Sequence, residues 1–276
     1  MSLSTGEKRL LKDVIHINKN PLNDQGIFYI HDTKNIKKGY ALIIGPEDTI
    51  YSHGLYFFKF TYPDEYPYSP PHVEYLTNKD KIRFNPNLYR NGKVCISILN
   101  TWSGPQWSSC QSISSVLLTL ITLFHNKPLL NEPGLTESHP NFNTYNNIIK
   151  YSSFKIGILD VLNKNKCKKI YKKFKINIHT HIKTNKDSII KKINDIDTML
   201  LKDDETIMQM SIYSMKLQCK KKGELLNEFN DCLKNIIEKI YKIEKNILNL
   251  YNSSCKQFLK LEEQINYNIN KYLQIS

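Results

Sequence analysis

Residues 26–76 read GIFYIHDTKNIKKGYALIIGPEDTIYSHGLYFFKFTYPDEYPYSPPHVEYL. Four short runs stand out in it: 26–31 (GIFYIH), 39–45 (GYALIIG), 55–61 (LYFFKFT) and 72–76 (HVEYL). Each is rich in β-branched and aromatic residues and is bounded by Gly, Pro, Asn or Asp, so the spacing predicts a four-stranded antiparallel meander. Ahead of it, Ser4-Thr5-Gly6-Glu7 has capping-box spacing before Leu10, Leu11, Val14 and Ile15. That predicts a helix over 5–17 that stops before Pro21. Behind the meander, 77–110 reads as irregular, with Gly, Asn and Pro turns. Residues 111–125 (QSISSVLLTLITLFH) read as a buried helix, their length outweighing their β-branched content. A further helix is predicted over 139–162.

The chain changes character near its middle. Residues 1–150 hold all eleven prolines, both tryptophans and a charge of +3. Residues 151–276 hold no proline, two glycines (Gly157 and Gly223) and a charge of +10. Without those breakers long helices are allowed. Leu226, Phe229, Leu233, Ile236, Ile240, Ile243, Ile247 and Leu250 recur at alternating spacings of 3 and 4, a heptad seam. Ile189, Ile193, Ile196 and Leu200 repeat the pattern, and Lys221-Lys222-Gly223 suits a turn. The expectation is an α+β domain over 1–162 and an all-helical extension over 163–276. The extension is read first as an antiparallel helical hairpin and second as a coiled coil that would make a homodimer.

The net charge of +13 does not by itself point to nucleic acid. Only Arg9, Arg83 and Arg90 among 39 basic residues are arginine, the residue suited to bidentate phosphate and base contacts. About a tenth of the chain is asparagine, so the charge reads mainly as lysine-rich surface drift. The run 164–175 (KNKCKKIYKKFK) has seven lysines, and any binding through it to nucleic acid or an anionic membrane would be an accessory, salt-sensitive property. No apolar stretch is long enough to span a bilayer, and the N-terminal twenty residues lack the apolar core of a secretory signal. Six scattered cysteines without CxxC suit a reducing compartment, cytoplasmic or nuclear, and no metal site is expected.

The residues with chemical potential lie between 45 and 134. Cys95 stands in apolar company (Val94, Ile96, Ile98, Leu99), which ordinarily marks a small core residue. No Ser/His/Asp or Cys/His arrangement accompanies it. The other marks are a rigid Pro- and Tyr-rich loop, Tyr62–Pro71, and an Asn85-Pro86-Asn87 turn eight residues before Cys95.

Together these residues resemble the catalytic domain of ubiquitin-conjugating enzymes. Gly45-Pro46-Glu47-Asp48-Thr49-Ile50-Tyr51-Ser52-His53-Gly54 is similar to that family's GPxDTxYxxG turn, and Tyr62–Pro71 to its YPxxPP loop. Asn87 and Cys95 have the spacing of its asparagine and active-site cysteine, and Trp107 precedes a helix as its tryptophan does. The segments 83–95, 100–105 (NTWSGP) and 131–134 (NEPG) resemble the subgroup of the Z-type enzyme and the giant inhibitor-of-apoptosis protein's conjugating domain.

The resemblance implies a fold of N-terminal helix, four-stranded meander and C-terminal helices. It implies a transferase that accepts ubiquitin, or a ubiquitin-like modifier, as a thioester on Cys95 from an activating enzyme. The modifier would then pass to a substrate lysine or a ligase. It implies that Asn87 is an oxyanion donor or shapes the loop, and that Glu132 is an acidic gate for the incoming lysine rather than a plain loop acid. Lys8, Arg9 and Lys12 would face the activating enzyme, or else water; Tyr68 and Ser108 would face the ligase. No cofactor is implied, since ATP belongs to the activating enzyme. Three positions depart from the common pattern: Asn85 for histidine, Ser97 for aspartate and Ser109 for proline. The competing reading is a catalytically weak scaffold whose extension mediates protein–protein interaction.

Overall fold

The computed structural model describes residues 3–77, 82–163, 167–196, 207–210 and 213–273. Helix α1 (Thr5–Lys19) begins at the predicted capping box. The Ser4 hydroxyl accepts from the Glu7 N–H at 3.2 Å, and the Ser4 N–H donates to the Glu7 carboxylate at 2.9 Å. Two otherwise orphaned helix donors are thereby satisfied. Strands β1 (Ile27–His31), β2 (Lys38–Ile44), β3 (Leu55–Thr61) and β4 (His72–Tyr75) form an antiparallel sheet in sequence order. Its register pairs Ile27 with Ile43, Ala41 with Phe58 and Phe60 with Val73.

The middle strands are buried on both faces, as their unbroken apolar sequence demands. Successive side chains point oppositely, and Tyr56 and Phe57 show what covers each face. Tyr56 stacks on Phe124 with ring centroids 4.4 Å apart, after helix α2 (Ile113–Ile121). Phe57 stacks at 6.1 Å on Phe174. Phe174 joins α4 (Lys168–Lys173) to α5 (Lys175–Thr184), which α6 (Lys186–Asn194) follows. Helix α3 (Phe142–Phe154) runs into a π-helical stretch, Lys155–Asp160.

Among its described residues the extension is helical with one insertion that its composition does not announce. Strands β5 (Ile207–Met210) and β6 (Met215–Gln218) pair as an antiparallel hairpin. Helix α7 (Lys222–Leu273) follows, so Lys222 and Gly223 open a helix after a strand instead of turning between two helices. By compactness the chain divides after Cys232. The second unit, from Leu233, is the rest of α7, where Tyr241, Ile247, Leu248, Leu250 and Tyr251 are exposed. Leu200 of the upstream seam and Lys164 and Lys166 of the basic run lie outside the described residues. Within that run, Lys173 is engaged by Asp32 at 3.5 Å and lies 4.5 Å from the Tyr40 ring centroid. Among the described residues no helix is long and apolar enough to cross a membrane.

The 45–54 turn joins the sheet to the functional region. Gly45 N–H donates to the Gly54 carbonyl at 2.9 Å, and His53 N–H to the Gly45 carbonyl at 3.1 Å. A Cβ on Gly45 would lie 2.0 Å from the main-chain oxygen of Tyr51, which cannot move without opening the turn. Gly45→Ala is expected to destabilise by about 3 kcal/mol, the upper range for overpacking, read from its urea midpoint. A loss below about 0.5 kcal/mol would contradict this packing.

Helix α6 clamps the same turn. The Lys192 ammonium donates to the carbonyls of Ser52 (2.6 Å) and Ile50 (3.2 Å). Burial, with the Lys150 charge adding to it, pushes this amine down to about 7. The unfolded chain keeps that proton to about 10.5, so it binds more protons than the folded chain between these values. Stability should therefore rise with pH across that window, by up to about 1.4 kcal/mol per unit. Lys192→Met should flatten that rise in denaturant titrations between about pH 7 and about pH 10. Equal slopes in the two proteins would show that Lys192 does not titrate there.

Candidate active site

The segment 83–101 is held from below by buried tyrosines and from within by amides. Tyr51, carried by the 45–54 turn, donates through its hydroxyl to the Phe84 carbonyl at 2.5 Å. Tyr145, on α3, donates to the Arg83 carbonyl at 2.8 Å. Asn85 is fully buried. Its Nδ2 donates to the Leu123 carbonyl (2.9 Å), while its Oδ1 accepts from Asn87 N–H (2.8 Å) and Asn131 Nδ2 (3.2 Å). One amide thus ties the end of the α2 segment, the 128–132 loop and the Asn87 turn together, which explains how asparagine serves where the family pattern has histidine.

Asn87 and Cys95 bond to each other twice. Cys95 N–H donates to the Asn87 carbonyl at 2.9 Å, and Asn87 Nδ2 donates to the Cys95 carbonyl at 2.6 Å. Among the described residues, buried Asn87 Oδ1 has no hydrogen-bond partner. The amide therefore orients the backbone at Cys95. The thiol donates to the Thr101 carbonyl at 2.8 Å, and Cys95 is only 2% exposed. Since a thiolate cannot donate, this contact belongs to the neutral thiol. Thr101 braces the segment: its N–H side is joined to the Ile96 carbonyl at 3.4 Å, its Oγ1 accepts from Ile96 N–H (2.9 Å), and the same hydroxyl lies 3.0 Å from the Val94 carbonyl. Thr101 is a residue that sequence reasoning missed, although it stands inside the quoted NTWSGP segment.

Glu132 follows Asn131 and is half-buried, with one carboxylate oxygen 2.6 Å from the Tyr213 hydroxyl. The Tyr213 contact comes from the β5–β6 turn and had no sequence signal. Among the described residues no cluster of three or more His, Cys, Asp or Glu could hold a metal ion.

The expected partner-facing residues divide. Lys8 and Lys12 are exposed on α1. Arg9 is not free: its Nε bonds Asp13 at 3.1 Å, and its Nη atoms donate to the carbonyls of Ser109 (2.7 Å) and Gln111 (2.9 Å). It clamps α1 to the loop before α2, a partner one hundred residues away that helix periodicity cannot reveal. Tyr68 is 80% exposed and Ser108 is exposed. Their loops adjoin, because Trp107 Nε1 donates to the Pro67 carbonyl at 2.7 Å.

Comparison with known proteins agrees with this geometry. The model of the ubiquitin-conjugating enzyme family matches residues 9–150, from α1 into α3 and just over half the chain. Ubiquitin-conjugating enzyme E2 Z of Homo sapiens is 44% identical over 157 residues, covering 56% of this chain and 44% of that protein. The Danio rerio enzyme of that name is also 44% identical over 157 residues, covering 47% of its length. A probable ubiquitin-conjugating enzyme, protein 17 of Caenorhabditis elegans, is 35% identical over 197 residues, covering 67% of this chain and 26% of that one. The chain spans less than half the length of these relatives. The matched span contains the meander, the Asn85–Asn87 turn, Cys95 and Glu132, and with it the chain belongs to the ubiquitin-conjugating enzyme family.

Proposed function

We propose that Cys95 accepts ubiquitin or a ubiquitin-like modifier as a thioester from an activating enzyme and passes it to a substrate lysine or to a ligase. The observation that carries this reading is the pair of hydrogen bonds between Asn87 and Cys95, which fixes the sulfur-bearing residue beside an amide donor. The thiol must first leave the Thr101 carbonyl and lose its proton, because the thiolate is the nucleophile. Its sulfur then attacks the carbonyl carbon of the incoming thioester, and the activating enzyme's thiolate leaves. A lysine amine next attacks the new thioester; the C–N bond forms, the C–S bond breaks, and the electron pair returns to Cys95 sulfur. Glu132 would orient or deprotonate that lysine.

The exposed Lys8 and Lys12 would meet the activating enzyme, and the adjoining Tyr68 and Ser108 loops a ligase. The burial of the Cys95 sulfur against the Thr101 carbonyl implies that the 100–107 segment yields when the donor docks. The test is incubation with activating enzyme, ATP and ubiquitin, read on a non-reducing gel. A thiol-sensitive adduct on the chain is expected. Its absence with every member of a panel of activating enzymes and modifiers would overturn the reading.

A further inference from the structure

The β5–β6 hairpin belongs to the same compact unit as the catalytic core, and its turn residue Tyr213 is anchored at every part. Its main-chain carbonyl accepts from the Arg90 guanidinium. Its ring lies 5.9 Å from the ring of Tyr145, and the Arg83 guanidinium stands 4.6 Å from its centroid. Two residues on, Met215 sulfur accepts from Arg83 N–H at 3.2 Å. So fixed, the Tyr213 hydroxyl donates to Oε2 of Glu132 at 2.6 Å. Among the described residues no partner takes the other carboxylate oxygen, and Glu132 is half-buried.

We propose that Tyr213 is a positioning residue for transfer to amines, its hydroxyl holding one oxygen of Glu132 so that the other meets the incoming lysine ammonium. The inference rests on reading Cys95 as the thioester site and Glu132 as the acidic gate. A glutamate ahead of Pro133-Gly134 would otherwise sample several rotamers, and fixing it in advance lowers the cost of orienting the acceptor. The guanidinium groups of Arg83 and Arg90 stand by the tyrosine and hold it in place. In the step itself the ammonium gives up its proton through Glu132 to solvent. The amine nitrogen then bonds to the thioester carbonyl carbon and gives its second proton to solvent, and the C–S bond breaks with its electron pair on Cys95. A thiol acceptor brings no ammonium, so this device bears on lysine and not on transfer to a cysteine.

The contrast between acceptors supplies the test. Thioesters are preformed on the wild-type chain, Tyr213→Phe, Glu132→Gln and the double variant. Their single-turnover discharge is then followed to free lysine and to N-acetylcysteine, from about pH 6 to about pH 9. Tyr213→Phe keeps the ring and removes only the donor. It should lower the ratio of lysine to thiol discharge about tenfold, as expected for losing one hydrogen bond to a charged group. The double variant should be no slower toward lysine than Glu132→Gln alone. A ratio within about twofold of wild type, or effects that multiply in the double variant, would overturn the inference while leaving Cys95 as the thioester site. Failure of the wild-type chain to form any thioester would overturn the reading of Cys95, and this inference with it.

Discussion

Replacing Cys95 with serine is expected to abolish the thiol-sensitive adduct and leave, at most, a slowly formed adduct that survives reductant. The serine oxygen is a far weaker nucleophile near neutral pH, and its product is an oxyester, which thiols do not cleave. The prediction has a specific competitor in this chain. Of the described cysteines, Cys167, Cys219 and Cys232 are buried like Cys95, whereas Cys110 is exposed and more accessible to a reactive thioester. Accessibility alone would choose Cys110; the paired hydrogen bonds to Asn87 choose Cys95. Cys110→Ser should therefore charge like the wild type, while Cys95→Ala should not charge at all. A thiol-sensitive band that persists in Cys95→Ser and vanishes in Cys110→Ser would make Cys110 the nucleophile and remove Cys95 from that role.

That contrast also marks how far the sequence could be read. The meander was legible because its strands are short, aromatic and separated by turn residues, and the four ranges agree with the observed ones to within a residue. Helix α2 is shorter than its apolar run, since Ser112 caps it and the chain turns after Ile121. Cys95 looked like a core residue from its neighbours, and by burial it is one; only the resemblance, through its eight-residue spacing from Asn87, distinguished it. Asn85 could be seen as a departure from histidine but not as the hub it forms, because its partners, Leu123 and Asn131, are distant in sequence. Arg9 misled for the same reason. The β5–β6 hairpin lay in a stretch without the Gly or Pro that marks a turn, and its value to the site lies in long-range contacts with Arg83, Arg90 and Glu132.

Asn87→Ala is expected to slow discharge of the Cys95 thioester to lysine by about 10²- to 10³-fold, the loss typical of one oxyanion-hole donor and equivalent to about 2.7–4 kcal/mol. The same change removes the donor to the Cys95 carbonyl, leaving a part-buried acceptor unpaired, which costs about 1–3 kcal/mol of folding stability. The two consequences separate experimentally. Stability is read from the urea midpoint of the uncharged protein, and transition-state stabilisation from single-turnover discharge of preformed thioester under conditions where the variant remains folded. Asn87 Nδ2 carries two hydrogens, and the Cys95 carbonyl takes one. The other is available to an oxyanion that forms on the carbon bonded to the same residue's sulfur. If Asn87 served only to shape the loop, Asn87→Ala would lower the midpoint and leave discharge within about threefold of wild type. A deep loss in rate with a modest loss in stability places the amide in the chemistry itself. That pattern is expected because the contact that orients Cys95 also holds the amide nitrogen next to the reacting residue.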